Sequence, residues 1–355
     1  MSTVNLIEIN QPIGTFYIGK LPAETVIKIA HVKKRKYDSD KSTTFGGVQR
    51  PESDSRINEI AKYCSDPDAT FPTPIIISVD DNSKYTLNGN VLEFNDDEFF
   101  GEVIDGQHRI KGIKKSDYID KFELPIIFMF NLIEEEKAYI FSTINSKQTR
   151  VPMSLIYDLF DVYETRSPMK VCHELARTFN SDETSPFYKR LKMLGAKQEE
   201  LASLSQGSFV KYLIPLISKT PDQDAIDIKK SKTLNPDNSC PLRIYFEKGE
   251  DQIIYKILFN LFNSFKEVFN EEWTNPSEYI LTKTLGYGAI VKAFPVMYEK
   301  GKKQKDLSSD FFISETTKIK EYLLKLNIKL TSEVFPSNQQ QLSKLSQLII
   351  DAINK

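Results

Sequence analysis

The sequence has few cysteines and lacks the common metal-binding motifs, and both shortages exclude whole classes of protein. Among 355 residues there are three cysteines, Cys64, Cys172 and Cys240, which lie far apart and are odd in number. This pattern excludes a disulfide framework and indicates a reducing compartment. No CxxC pair and no HExxH motif occurs, so the sequence carries no zinc signature.

The chain also lacks an excess of either charge. Its formal net charge is −2, which excludes a protein coated with basic residues, so that any nucleic-acid surface must be a local patch. The basic run Lys33-Lys34-Arg35-Lys36 is either a solvated loop or a contact for a DNA backbone. Neither a membrane-spanning apolar run nor an apolar signal core is present, and we therefore expect a cytoplasmic protein.

The hydrophobic pattern predicts an α+β fold in two domains. Strands alternate with helices up to about residue 130, which favours a mixed sheet covered by helices, and helical spacing dominates beyond residue 208. We predict strands at 15–19, 73–79, 102–104 and 123–130, a hairpin at 85–94, helices at 21–30, 53–65, 133–144 and 153–164, and a polar loop at 220–238.

One stretch combines a short apolar strand, a tight turn and the start of a helix. Its central residues are Asp105-Gly106-Gln107-His108-Arg109. Asp105 is a good N-cap, and Gly106 allows the backbone to approach a ligand closely. A helix N-terminus favours anions, and Arg109 adds a bidentate phosphate donor.

Two interpretations of this stretch are open. In the structural one, Asp105 caps the helix, and His108 and Arg109 pair with nearby carboxylates. In the functional one, the backbone N–H groups of Gly106 and Gln107 hold phosphate oxygens together with Arg109. Asp105 then coordinates Mg²⁺ or orients a water, and His108 serves as acid or base or donates to a phosphate. The chain has no GxxxxGK[ST] loop, so nucleotide binding would need this other architecture.

The five residues 105–109 match the signature of the DGQHR-domain family, which includes the DndB proteins associated with DNA phosphorothioation islands. Both resemble the larger ParB/sulfiredoxin-like group, in which a Gly-x-x-Arg turn at a helix start holds nucleotide phosphates. Gln49-Arg50, followed by a short helix and the run 71–77, resembles the upstream element of the family. Residues 141–148 and 151–155 resemble its downstream element. The resemblance covers roughly the first half of the chain.

The resemblance implies a ParB/sulfiredoxin-like mixed sheet with helices in residues 1–150 and a mainly helical domain in residues 151–355. It also implies further site residues. Gln49 and Arg50 would face the nucleotide, although Arg50 is alternatively a surface residue of a loop. Asn145 would join the site or act as a plain C-cap, and Lys147 would close over a phosphate.

The implied cofactors are ATP or another nucleoside triphosphate together with Mg²⁺. The implied partners are DNA and the proteins of a DNA-modification or defence system, and the resemblance allows for a homo-oligomer. Two functions stay open at this point. The chain is either a nucleotide-binding protein that hydrolyses ATP, or a DNA-binding regulator of a modification gene cluster without catalysis.

Overall fold

The chain divides near residue 150 into two units, residues 1–149 and residues 150–355. The structure is a computed structural model that describes residues 1–33, 35–38, 43–46, 53–146, 153–158, 165–193 and 200–355. The first unit carries the extended strands and the second is mostly helical. The predicted α+β fold class is therefore confirmed.

The first unit is built on a mixed sheet. Six strands hydrogen-bond in the order β2-β3-β11-β7-β10-β4, with parallel pairing between β11 and β7 and between β10 and β4. A second sheet has the order β1-β9-β8, and β5 pairs with β6. The strands are β1 Ser2–Asn5, β2 Ile7–Gln11, β3 Gly14–Pro22, β4 Ala30–His31, β5 Arg35–Asp38, β6 Thr43–Gly46, β7 Ile75–Val79, β8 Tyr85–Asn88, β9 Val91–Phe94, β10 Gly101–Asp105 and β11 Glu123–Met129.

Helices cover the two faces of the six-stranded sheet unequally. They are α1 Ala23–Ile29, α2 Asp54–Tyr63, α3 Gln107–Lys115 and α4 Glu134–Ser146, with a 3₁₀ turn at Ile119–Lys121. On one face, Ile77, Val103 and Phe128 pack with Val26 of α1 and Ile113 of α3 in a continuous core. On the opposite face, Ile76 and Ile127 are only half-buried beside α4. Successive strand residues point to opposite faces. Neighbouring residues of one strand, such as Ile76 and Ile77, therefore differ in burial.

The second unit packs helices around an aromatic core. Phe179, Phe187, Phe209, Phe262 and Tyr287 are fully buried and contact one another through their rings. Its helices are α5 Met153–Asp158, α6 Pro168–Ser181, α7 Gln206–Ile217, α8 Pro221–Lys229, α9 Arg243–Lys248, α10 Asp251–Val268, α11 Asn270–Thr274, α12 Thr284–Gln304, α13 Ser309–Lys325 and α14 Gln339–Ile353, and a short parallel pair joins β12 Leu191–Lys192 to β13 Leu204–Ser205.

The loop predicted at 220–238 is wrong in its first half, where α8 forms. Pro221 lies at the start of this helix, where its missing N–H costs nothing. Ile226 is buried, and the buried carboxylate of Asp224 pairs with Arg243. This tertiary pairing outweighs the polar composition that predicted a loop. No helix in the described part of the chain is both long and apolar enough to cross a membrane.

Candidate functional site

The Asp-Gly turn joins the end of β10 to the start of α3. β10 pairs antiparallel with β7, and a bulge between Val103 and Asp105 places Asp105 opposite Ile76. Gly106 then adopts φ +104°, and a Cβ on it would lie 2.3 Å from Cδ1 of Ile75. Both the left-handed backbone and the contact with β7 therefore require glycine at this position.

The predicted capping of α3 by Asp105 is wrong. Gly106 is the N-cap residue, and no side chain of the described residues caps this helix. Asp105 is instead the last residue of β10, and its Oδ2 accepts a hydrogen bond from Nη2 of Arg109 at 2.8 Å. The first backbone N–H groups of α3 thus lack the side-chain acceptor that the sequence predicted for them.

Arg109 ties the turn to the segment that enters β7. Its Nη1 donates to the carbonyl oxygen of Thr73 and, at 2.7 Å, to Thr73 Oγ1. Its Nη2 donates to the carbonyl oxygen of Pro74 at 3.0 Å as well as to Asp105. Burial lowers the pKa of Arg109, and the Asp105 carboxylate opposes this effect. Protein oxygens therefore occupy both terminal nitrogens on which a bidentate phosphate contact would depend. We call this set of bonds the Arg109 clasp.

His108 and Gln107 have different surroundings. Nε2 of His108 accepts a hydrogen bond from the backbone N–H of Ser53 at 3.3 Å, so a neutral ring carries its proton on Nδ1. Ser53 in turn caps α2. Gln107 is 6% exposed, and its Oε1 has no hydrogen-bond partner among the described residues. A buried amide oxygen without a donor is costly, so this atom is suited to a ligand hydroxyl or a water.

Five of the predicted site residues, Asp105 to Arg109, are consecutive and form the turn between β10 and α3. Gln49, Arg50 and Lys147 lie outside the described residues, so the predicted clustering of Arg50 with Arg109 stays a prediction. Asn145 belongs to the last turn of α4, but its side chain is not described either. The described chain resumes after Arg50 at Ser53, which contacts His108.

A groove of about 860 Å³ lies between α4 and the half-buried face of the sheet. Its floor includes Phe16, Ile76 and Ile127, and its wall includes Ile140 and Ile144 of α4. Because Ile76 is the register partner of Asp105, one end of the groove adjoins the Asp-Gly turn. We refer to this cavity as the α4 groove.

Comparison with known proteins identifies the family. A family model described as DndB, DNA-sulfur modification-associated, matches residues 5–193, which is more than half of the chain. The chain belongs to the DndB family.

Other comparisons add less. A solved structure of the C-terminally truncated chromosome-partitioning protein ParB from Caulobacter crescentus, complexed with CTP-γ-S, is similar over 64% of this chain and 98% of that one, with 10% identity and a TM-score of 0.28. None of the curated proteins matches the chain.

The sequence analysis of this DndB-family chain did not predict the buried carboxylate of Glu102. Glu102 of β10 is fully buried, and its Oε2 lies 3.7 Å from Nζ of both Lys33 and Lys137. Neither carboxylate oxygen, nor Oγ of its cross-strand partner Ser78, has a hydrogen-bond partner in the described ranges. Burial raises the pKa of Glu102, while the two lysines oppose that change. A charged residue at a strand end normally indicates exposure, so the sequence held no signal for this cluster.

The lysine contacts also bear on the basic run at residues 33–36. Lys33 lies within ion-pair distance of Asp80 and Glu102. Lys34 and the side chains of Arg35 and Lys36 are outside the described set. The DNA-backbone interpretation of this run therefore stays a prediction.

The Arg109 clasp predicts that Arg109→Lys destabilises the first unit in the absence of any ligand. Lysine keeps the charge but cannot reach Thr73, Pro74 and Asp105 together. We expect a loss of about 2–3 kcal/mol in the free energy of opening, the value of one or two charge-assisted hydrogen bonds. Thiol labelling of Cys64, a buried cysteine of the first unit, under native conditions measures that opening.

Arg56→Lys is the matched control, because the Arg56 side chain is exposed on α2. Its labelling rate should stay close to that of the wild type. Unchanged protection of Cys64 in Arg109→Lys would show that the clasp does not stabilise the fold.

The raised pKa of Glu102 predicts a pH-dependent stability. The folded state holds this proton more tightly than the unfolded chain, whose glutamates titrate near about 4.3. The contribution therefore favours folding at low pH and is lost as pH rises from that value through the raised folded pKa. Glu102→Gln should remove this step from urea unfolding curves followed by far-UV circular dichroism.

Two controls locate the effect. Glu93→Gln, at an exposed position of β9, should keep the wild-type step. Fluorescence of Trp273, the only tryptophan of the chain, reports the second unit and should be insensitive to Glu102→Gln. A step of equal size in Glu102→Gln would exclude Glu102 as its source.

Proposed function

We propose that this DndB-family chain binds the phosphates of a nucleotide at the N-terminus of α3. The observation that carries the proposal is the first turn of α3, which no side chain of the described residues caps. Backbone N–H groups at a helix start, with the positive end of the helix dipole, favour a phosphate oxygen. The buried Oε1 of Gln107, which lacks a donor within the described chain, is an acceptor and would bond to a hydroxyl of the ligand or to a water, not to a phosphate oxygen.

The Arg109 clasp assigns a positioning role to Arg109. A direct contact between its guanidinium and a phosphate would require the bonds to Thr73 and Pro74 to break. We therefore infer that the N–H groups of Gln107 and His108 make the phosphate contacts, while Arg109 holds the turn. Gln49, Arg50, Asn145 and Lys147 are proposed to complete the site, as the family resemblance implies.

Asp105 is the proposed Mg²⁺ ligand. Its Oδ2 bonds to Arg109, whereas Oδ1 has no partner in the described ranges. Mg²⁺ commonly takes one or two carboxylates together with phosphate oxygens and waters, and a lone carboxylate beside a phosphate site fits that requirement. His108 would act as acid or base if a phosphate is hydrolysed.

A second function competes with this one. The chain belongs to a DNA-sulfur modification-associated family, and both His108 and Arg109 already bond to protein atoms. These bonds favour a second interpretation, in which the residues 105–109 only stabilise the fold and the chain is a DNA-binding regulator without catalysis. Nucleotide binding separates the two functions, because only the first requires it.

Asp105→Asn separates the roles of metal ligand and structural residue. Titrations of the wild-type chain with ATP, CTP and GTP, with and without Mg²⁺, should reveal binding that Mg²⁺ strengthens. Asparagine keeps an acceptor for Arg109 but is a poorer Mg²⁺ ligand. We therefore expect Asp105→Asn to retain metal-free binding, and to lose both the Mg²⁺ dependence and any phosphate release.

Asp117→Asn, at an exposed position after α3, is the control and should behave like the wild type. Turnover that persists in Asp105→Asn would remove Asp105 from the catalytic residues. A wild-type chain that binds no nucleotide would reject the nucleotide site and leave the DNA-binding regulator.

A further inference from the structure

The α4 groove has two walls of different chemistry, because two adjacent rows of α4 face it. Residues four apart lie above one another on a helix. One row consists of Glu136, Ile140 and Ile144 and is apolar over its last two residues. The neighbouring row at the mouth consists of Glu135, Tyr139 and Thr143.

We propose that the α4 groove holds the base and ribose of the nucleotide whose phosphates bind at α3. This inference rests on the proposed function and identifies where the rest of that ligand lies. The groove volume of about 860 Å³ falls within the range of small-molecule sites, roughly 300–1,000 Å³. Its apolar floor excludes the phosphates themselves, which need donors, but suits the face of a ring.

Continuity with the Asp-Gly turn supports this occupant. Ile76 pairs with Asp105 across the sheet and also lines the groove. Ile75, the preceding residue, packs on the opposite face of the sheet and lies against Gly106 there. At the same end, Ile144 lines the groove one residue before Asn145. The start of α3 and the last turns of α4 therefore lie at the same end of the sheet, and a ligand bound at the turn would enter the groove around that end.

Charge fixes the direction in which the ligand lies. The phosphate end adjoins the positive end of the α3 dipole. Glu135 and Glu136 line the far end of the groove, nine and eight residues before Ile144, or about 13 Å along the helix. Two carboxylates repel phosphates, so the reverse orientation is unfavourable. The distance is comparable with the length of an extended nucleoside triphosphate.

Tyr139 provides the stacking surface. Its side chain is 63% exposed although it lines the groove. An exposed aromatic ring at the mouth of an apolar cavity can stack on any base, because every base has a π face. This contact would strengthen binding without selecting strongly among bases.

The test compares ATP with inorganic tripolyphosphate, which has phosphates but neither base nor ribose. Calorimetric titrations with Mg²⁺ are made on the full chain as wild type, Tyr139→Ala and Ile140→Trp. We expect the wild type to bind ATP more tightly than tripolyphosphate. Tyr139→Ala should weaken ATP binding roughly tenfold, and Ile140→Trp, which fills the groove, should abolish the preference. Tripolyphosphate binding should be unchanged in both variants.

Phe99→Ala is the matched control, since Phe99 is 66% exposed and does not line the groove. It should retain the full preference for ATP. Equal binding of ATP and tripolyphosphate by the wild type, or a preference that survives both groove variants, would overturn the inference and leave the phosphate site intact. Failure of the wild type to bind either probe would instead reject the proposed function itself.

Discussion

The geometry of the first unit depends on the joint between β10 and α3. A left-handed Gly106, packed against Ile75 without room for a Cβ, changes the chain direction within one residue. The Arg109 clasp then fixes the new helix to the backbone that enters β7. These two constraints act on neighbouring strands of one sheet, so the start of α3 has a defined position before any ligand arrives. Such preorganisation is what a phosphate site built from backbone N–H groups requires.

Helices cover the two faces of the six-stranded sheet unequally, and this explains both the α4 groove and the buried carboxylate of Glu102. The face beneath α1, α2 and α3 is apolar throughout, with Ile77, Val103 and Phe128 fully buried. Among the described residues one helix, α4, covers the other face, where the strands place both apolar and polar side chains. At the end of this face near Asp105, α4 does not cover the strands completely, and the α4 groove lies there. Toward Glu102 the same incomplete cover leaves a buried carboxylate that depends on Lys33 and Lys137 for compensation.

The sequence predicted the elements better than it predicted their contacts. The apolar run at 73–79 and the Asn88-Gly89 hairpin were confirmed as β7 and as β8 with β9, because local pattern determines them. The helical spacing predicted beyond residue 208 is confirmed in α10, where Phe262 and Phe265 are buried in the core and Ile253 is 41% exposed. The prediction that Asp105 caps α3 was wrong because Gly106 adopts the αL conformation and is itself the N-cap residue. The sequence did not show this, because Asp105 beside it is also a residue type that commonly caps helices.

Tertiary partners explain the rest of the difference at the site. Arg109 bonds to Thr73 and Pro74, more than thirty residues earlier in the chain, and no spacing rule connects such positions. Glu102 lies at a strand end where a charge usually meets solvent. Its burial results from the position of α4, which is set by packing on the sheet. Both residues carry charges whose partners only the fold specifies.

The Arg109 clasp changes the role of Arg109 within the residues 105–109, because its guanidinium is already bonded to protein oxygens. If Arg109 made the phosphate contact, affinity would depend chiefly on one guanidinium and its charge. Because that charge is already compensated by Asp105 and by two carbonyl oxygens, the binding proposed at α3 would depend on the geometry of neutral N–H groups. Geometry of this kind is set by Gly106, where any side chain would both strain the backbone and displace Ile75. Under the proposed function, the glycine, rather than the arginine, is therefore the residue on which phosphate binding would depend most directly.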